Sequence, residues 1–180
     1  MIHHTLHPNT RALLQAWTRI ASHPQRVSEG PSADDYPGLL NRLFVLGTDG
    51  DDRAPFRITG EKLPELLGRD VAELDFMSFW QGHDRPIIWG LLGAVAACSS
   101  PALIKARGST LSGRTSDLEI AIAPLEGSGV KKKRLLGLYQ NLSPDTVLGG
   151  HPLARHRLNA VVMPQPRGSK SRLRLVASND

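Results

Sequence analysis

The sequence is poor in the features of secreted and membrane-embedded proteins. Its 180 residues include a single cysteine, Cys98, so no disulfide can form within the chain and no cysteine-based zinc site is available. No apolar run approaches the roughly 20 residues that a membrane-spanning helix needs, and the N-terminus lacks the charged-then-apolar layout of a signal peptide. These absences predict a cytoplasmic protein without a membrane span.

Catalytic and phosphate-binding motifs are also missing. No nucleophile elbow of the G-x-S-x-G type occurs, and Gly127–Gly129 lacks the other residues of a phosphate-binding loop. The carboxylates of Asp49–Asp52 cluster in a loop, where solvation is their ordinary role. His3, His4 and His7 have no acidic or thiol co-ligands nearby, which disfavours a metal site. We therefore expect neither an enzyme nor a metal site.

The positive charge is concentrated in the C-terminal part. The chain has 22 Lys and Arg against 17 Asp and Glu, a net charge of +5, but from Lys131 onward there are 10 basic and 2 acidic residues. The basic run Lys131, Lys132, Lys133 and Arg134 can contact an acidic partner or simply remain solvated. It carries the alternative hypothesis, a nucleic-acid-associated regulator, which is not favoured because charge alone predicts a partner poorly.

The central segment has the period-two alternation of apolar and polar residues that is typical of half-buried strands. Three strands of an antiparallel meander are predicted, at Pro101–Leu111, Thr115–Leu125 and Arg134–Leu142. Gly113 suits the first turn because glycine adopts positive φ without steric cost. Such a sheet must bury one face, and the cover should come from the residues before it.

Those preceding residues predict two strands and several helices. In order they are a strand at Leu43–Gly47, a strand at Pro55–Thr59, helical pieces at Glu61–Leu67 and Asp70–Trp80, and a longer helix at Asp84–Cys98. The last of these has Asp84 as its predicted N-cap.

An amphipathic helix is predicted at the N-terminus, from Asn9 or Thr10 to Ser22. Leu13, Trp17 and Ile20 form its apolar stripe. The stripe must pack on the body of the protein or on a second copy, since a short amphipathic helix is seldom stable alone. We interpret it as a dimer or partner interface.

The C-terminal part contains the signals of a linker. Asp145–Ala160 and Met163–Lys170 are rich in glycine and proline. Arg172–Val176 alternates arginine with apolar residues and is interpreted either as disordered, as an edge strand, or as a segment that binds a partner by strand addition. The predicted organisation is a flexible N-terminus (1–8), a domain with its N-terminal helix (9–142) and a basic tail (143–180).

Several phrases of the sequence resemble the single-domain PAS family of alphaproteobacteria, once catalogued as a domain of unknown function. They are Leu13–Trp17, Asn41–Leu46, Phe56–Gly60, Leu67–Asp70, Phe76, Phe79–Trp80, Asp84–Arg85, Ser112–Arg114, Glu119 and Pro124–Leu125. The chain departs from the family at Glu73, where glycine is expected, and in the long loop before Asp34. The resemblance covers roughly Arg11–Leu142.

This resemblance implies an α+β fold, with a five-stranded antiparallel sheet, helices on one face and a small pocket between them. It also implies a sensory or regulatory protein of bacterial signal transduction that acts through protein–protein interaction, forms a homodimer and is open to gating by a small ligand. Because the chain ends within 40 residues of the last predicted strand, any output should pass through a partner signalling protein.

The segment of predicted short helices and the long helix that follows them (61–98) is here called the interlude. It supplies the candidate ligand pocket, formed by Phe76, Phe79, Trp80, Arg85, Ile88, Trp89 and Leu92. Arg85 can pair with an anionic ligand or bridge the body, and the apolar residues can line a pocket or fill the core.

No cofactor is evident. A flavin photosensor would need an Asn-Cys-Arg phrase that Cys98 does not supply, and the long helix has no histidine for haem iron, so neither flavin nor haem is expected, although His83 lies just before that helix.

Overall fold

The computed structural model of the chain describes residues 6–22, 38–48, 51–68, 71, 74–125, 134–165 and 175–178. Its helices are α1 (Pro8–Ser22), α2 (Lys62–Leu67), α3 (Asp84–Cys98) and α4 (Asp145–Leu148), with short 3-10 turns at Leu40–Arg42 and Phe76–Phe79. Its strands are β1 (Leu43–Gly47), β2 (Phe56–Thr59), β3 (Ala102–Thr110), β4 (Thr115–Leu125), β5 (Arg134–Asn141), β6 (Leu153–Val162) and β7 (Leu175–Ser178). None of the helices in these ranges is long and apolar enough to cross a membrane.

The strands form one antiparallel sheet in the order β2-β1-β5-β4-β3-β6-β7. The predicted α+β fold and the β3-β4-β5 meander are confirmed. The predicted number of five strands is wrong, because β6 and β7 add to the sheet beside β3 and bring the strands of the described residues to seven.

The inner face of the sheet carries the main core, which α2, the turn at Phe76–Phe79 and α3 cover. The rings of Phe44, Phe56 and Phe76 lie within 6.0 Å of one another, centroid to centroid. A Cβ at Gly137 would lie 2.1 Å from the Phe44 ring, so only glycine leaves room for this ring against β5.

The outer face is covered in part by α1. Ala12 and Leu13 pack there with a second apolar cluster that includes Leu103, Ala121 and Leu138. The interlude helices therefore occupy one face, as predicted, and the N-terminal helix lies on the opposite face. Residues 1–5 of the predicted flexible N-terminus lie outside the described residues, whereas Leu6 is buried and α1 already begins at Pro8.

The predicted linker at Asp145–Ala160 is wrong, because β6 lies in that segment and is an integral strand of the sheet. Its pairing with β3 shifts register twice, between Lys105 and Ala106 and between Ser109 and Thr110. Each shift leaves one β6 residue, Asn159 or Ala154, without a Cα partner, which is the signature of a β-bulge.

The segment after β6 agrees better with the prediction. Residues 163–165 are irregular, and 166–170 lie outside the described residues. The edge strand that was one interpretation of Arg172–Val176 is confirmed for its last two residues, since β7 begins at Leu175 and pairs with Ala160–Val162. The sheet therefore extends well into the region predicted as a tail.

Candidate functional site

The most distinctive site in the described structure is an aromatic cluster in the main core, where the interlude meets β5 and β6. The ring of His156 stacks on Phe79, with 4.9 Å between centroids and 17° between planes. It meets Trp80 edge to face at 5.3 Å and lies 5.7 Å from the ring of Tyr139. Phe76 packs on the far side of Trp80. Residues from two separate parts of the chain, Phe79–Trp80 and β5, thus surround the imidazole of β6.

A buried hydrogen bond joins the two polar members of this cluster. Tyr139 Oη lies 2.9 Å from His156 Nε2, and His156 is only 5% exposed. Burial lowers the pKa of His156 to about 4, and the backbone of Arg155 has a smaller opposing effect. Burial also raises the pKa of Tyr139 well above its ordinary value. Both groups are therefore neutral at pH 7, and the phenol can donate to the imidazole.

Two buried nitrogens in the same cluster have no hydrogen-bond partner of normal geometry among the described residues. They are Trp80 Nε1 and His156 Nδ1. If Tyr139 donates to Nε2, then Nδ1 carries the proton of the neutral imidazole. Both nitrogens are then donors: Trp80 Nε1 has no acceptor among the described residues, and Nδ1 has the backbone of Arg155 nearby but no hydrogen bond of normal geometry to it. Unpaired buried donors cost about 1–3 kcal/mol each, which makes them the chemical feature that a small acceptor would satisfy.

The interlude also closes the outer edge of β6. The backbone of Trp80 forms a bridge to His156, and the Asp84 carboxylate accepts a hydrogen bond of 2.9 Å from the backbone N–H of Leu158. The prediction that Asp84 is the N-cap of α3 is wrong. His83 holds that position, and its side chain makes no capping hydrogen bond. The Asp84 carboxylate instead accepts from a backbone N–H of β6 that would otherwise be unpaired. This part of the β6 edge is thereby protected from pairing with other strands.

Of the predicted pocket residues, five are buried together in the core: Phe76, Phe79, Trp80, Ile88 and Leu92. Trp89 is half-buried against them. Arg85 lies apart, because its guanidinium donates to the carbonyls of Met77 and Asp52. The structure therefore brings the apolar members together and uses Arg85 to join the interlude to a loop.

Tyr139 and His156 were missed at the sequence level. Tyr139 could have been found, because it lies four residues after Leu135 on β5 and so shares its inward face. His156 carried no usable signal, since the strand that places it was interpreted as linker.

On the outer face, polar contacts hold the first turn of α1 to the sheet. The fully buried carboxylate of Glu119 accepts from the backbone N–H of His7 at 3.0 Å, and Asn9 donates to Gln140 at 3.1 Å. Burial lowers the pKa of His7, while Glu119 acts in the opposite direction. These bonds fix the start of α1 on β4 and β5.

The predicted interface residues of α1 have different environments. Leu13 is buried on the sheet of its own chain. Trp17 is half-buried, with Nε1 donating to the Pro124 carbonyl at 3.4 Å. The side chain of Ile20 lies outside the described residues.

The predicted basic patch falls mostly outside the described residues, which exclude Lys131, Lys132 and Lys133. Arg134 is exposed at the start of β5. Of the N-terminal histidines only His7 lies within the described chain, and no group of three or more potential metal ligands occurs there.

Comparison with known proteins gives a family match. The family model described as PAS domain matches residues 5–140, more than half of the chain. No curated protein matches the sequence. The matched span ends within β5, so α4, β6, β7 and the histidine at the centre of the aromatic cluster lie beyond it.

Proposed function

Because the chain belongs to the PAS domain family, whose members have sensory or regulatory roles in signalling, we propose that it is a bacterial regulatory protein that acts by binding another signalling protein. It functions in the cytoplasm as a homodimer, without catalysis of its own. The α1 surface on the outer face of the sheet is the contact surface of the homodimer.

The filled interior is the observation that carries this proposal. Trp80, Ile88 and Leu92 are at most 2% exposed, and His156 from β6 lies against Trp80 and Phe79. Side chains thus occupy the region between sheet and interlude where a ligand would be enclosed. A protein with such an interior is better suited to signal through its surface.

The outer face supplies apolar surface for such contacts. Beside the half-buried Trp17, Leu125 is 39% exposed at the end of β4, and Leu43 and Leu136 are partly buried at the margin of the α1 cluster. Tryptophan is a common anchor of protein interfaces, and apolar side chains that lie exposed together mark interaction surfaces.

We expect Trp17→Glu to convert a dimer into a folded monomer, because a carboxylate would be placed in the centre of the apolar contact. Light scattering coupled to size exclusion measures the mass, and far-ultraviolet circular dichroism checks the fold. Ile87→Glu is the matched control, since Ile87 is exposed on α3, on the opposite face of the sheet. A Trp17→Glu protein that remains dimeric, or a wild-type protein that is monomeric at all concentrations, would contradict the homodimer.

One observation favours a second candidate function, the sensing of a small molecule by the aromatic cluster. Trp80 Nε1 and His156 Nδ1 are buried donors without partners among the described residues. A ligand with a carbonyl or similar acceptor would satisfy them if the cluster opened to admit it.

For this second function, native mass spectrometry of the protein purified from its own host should reveal a bound small molecule. Adding that molecule should raise the melting temperature, and Trp80→Phe should reduce the rise by more than half because it removes the Nε1 donor but keeps an aromatic ring. Trp89→Phe is the control and should leave the rise intact. An empty protein, or a rise that is equal in both variants, would exclude the aromatic cluster as the sensor.

A further inference from the structure

Three exposed arginines lie side by side on the outer face of the sheet, away from α1. Arg107 on β3 is directly opposite Arg157 on β6 in the strand register, and Arg155 is two residues further along β6 on the same face. Neighbouring strands are about 4.8 Å apart and residues i and i+2 about 7 Å apart. The three guanidinium groups therefore originate from one small area, here called the arginine surface (Arg107, Arg155 and Arg157).

The bulges of β6 create this surface. Val161 faces the main core, and in a regular strand Arg157, four residues earlier, would face the core as well. The extra residue Asn159 reverses the alternation, so that Arg155 and Arg157 face outward while His156 and Leu158 face the core. Bulges commonly re-aim side chains in this way at functional sites.

The positive charge of the arginine surface is only partly balanced. Arg107 Nε lies 2.9 Å from Asp117 Oδ1, whereas neither Arg155 nor Arg157 forms an ion pair with any described residue. Like charges directly opposite on neighbouring strands destabilise a sheet. The pair Arg107 and Arg157 thus imposes a folding cost that the ion pair of Arg107 with Asp117 offsets only in part, because Arg157 has no acidic partner among the described residues.

We infer that the arginine surface is the docking site for an acidic segment of a partner protein. A guanidinium presents a planar fork of donors that matches a carboxylate, and three such groups in one area complement a cluster of Asp and Glu side chains. Two of the arginines belong to β6, beyond the span that matches the family. The inference rests on the proposed function, for which it names the chemistry of the partner.

Nucleic acid fits this surface less well. Asp117 lies within the surface and would repel phosphates close to Arg107. Sheet surfaces that bind single strands also use exposed aromatic side chains on which bases stack. In the described part of the chain Phe44, Phe79 and Tyr139 are among the aromatics buried in the core, and the two least buried, Trp17 and Trp89, are half-buried.

The test uses the full-length protein and a fluorescent peptide that alternates glutamate with glycine, at low salt. Anisotropy should show binding that weakens about tenfold in Arg155→Gln/Arg157→Gln, a size of effect typical of lost interfacial charge contacts. The control Arg57→Gln/Arg134→Gln removes the same charge from exposed positions on β2 and β5 and should change the affinity less than twofold. Amide shifts of the isotope-labelled protein should be largest around Arg107, Arg155 and Arg157.

A second readout separates binding from folding. The Arg155→Gln/Arg157→Gln protein should melt at the same or a slightly higher temperature than the wild type, because the repulsion with Arg107 is removed. Equal weakening in both double variants, or peptide shifts located elsewhere, would overturn the docking site. A duplex DNA that binds the surface more tightly than the peptide would overturn the acidic partner. If the peptide does not bind but both arginine double variants remain dimeric, the docking site is wrong and the proposed homodimer stands.

Discussion

Replacing Trp80 by alanine is expected to lower the free energy of unfolding by about 3–5 kcal/mol. Its side chain is 2% exposed and contacts Phe76 on one side and His156 on the other, while its backbone bridges to β6. Removing the indole leaves a cavity at the junction of interlude, meander and C-terminal strand. Since a typical domain is stable by only about 5–15 kcal/mol, much of the stability depends on this one residue.

Urea unfolding followed by circular dichroism measures the effect. Trp89→Ala is the matched control, because Trp89 lies on α3 against the same core but is only half-buried, and its loss should be clearly smaller. Equal losses for the two variants would show that the junction at Trp80 is not a special point of the core.

The second large effect is a loss of stability on acidification. The pKa of His156 is about 4 in the folded protein against an ordinary value of 6.5, so between these values the unfolded chain binds a proton that the folded chain does not. The contribution of His156 to the free energy of unfolding is therefore fully present above pH 6.5, and about 3 kcal/mol of it is lost as the pH drops to 4. Below pH 4 both states are protonated and this group causes no further loss.

Unfolding free energies measured at several pH values in His156→Gln and His151→Gln isolate this contribution. His151 is exposed, so its variant should retain the full wild-type pH dependence, whereas His156→Gln should lose about 3 kcal/mol of it. His7, whose pKa is also lowered by burial, is present in both proteins and cancels. Parallel profiles for the two variants would disprove the role of His156.

The sequence pattern was sufficient where local periodicity and packing agree. The bounds of β1, β4 and α3 were predicted as the structure has them, because β1 is a short continuous apolar run that ends at glycine, while β4 and α3 each keep one regular period. Leu118, Ile120 and Ile122 share the inner face of β4, as the alternation indicates.

Long-range register could not be obtained in this way. In β6 the residues that face the core are Leu153, His156, Leu158 and Val161, a spacing that two bulges make irregular. No single period of two runs through the strand, and the flanking glycines and prolines resemble a linker. The bulges form only when β3 is present as a template, so the strand is a property of the tertiary structure.

The candidate site was likewise predictable only in the part that local spacing determines. The apolar residues of the interlude were identified as a group because they recur at helical spacing, but whether they line a space or fill it depends on what packs against them. That partner is His156, which lies 76 residues after Trp80 in the sequence and is brought to it by the pairing of β6 with β3. The polar chemistry of the site was therefore out of reach of the sequence pattern.

Because β6 completes the inner face, fragment boundaries matter for any experiment on this protein. A fragment that stopped near residue 140, where the family match ends, would lack Leu158 and Val161 from its core. It would also turn β3 into an open edge that can pair with strands of other copies. Self-association of such a fragment would report a truncated sheet, so oligomeric state should be measured on the chain that retains β6 and β7.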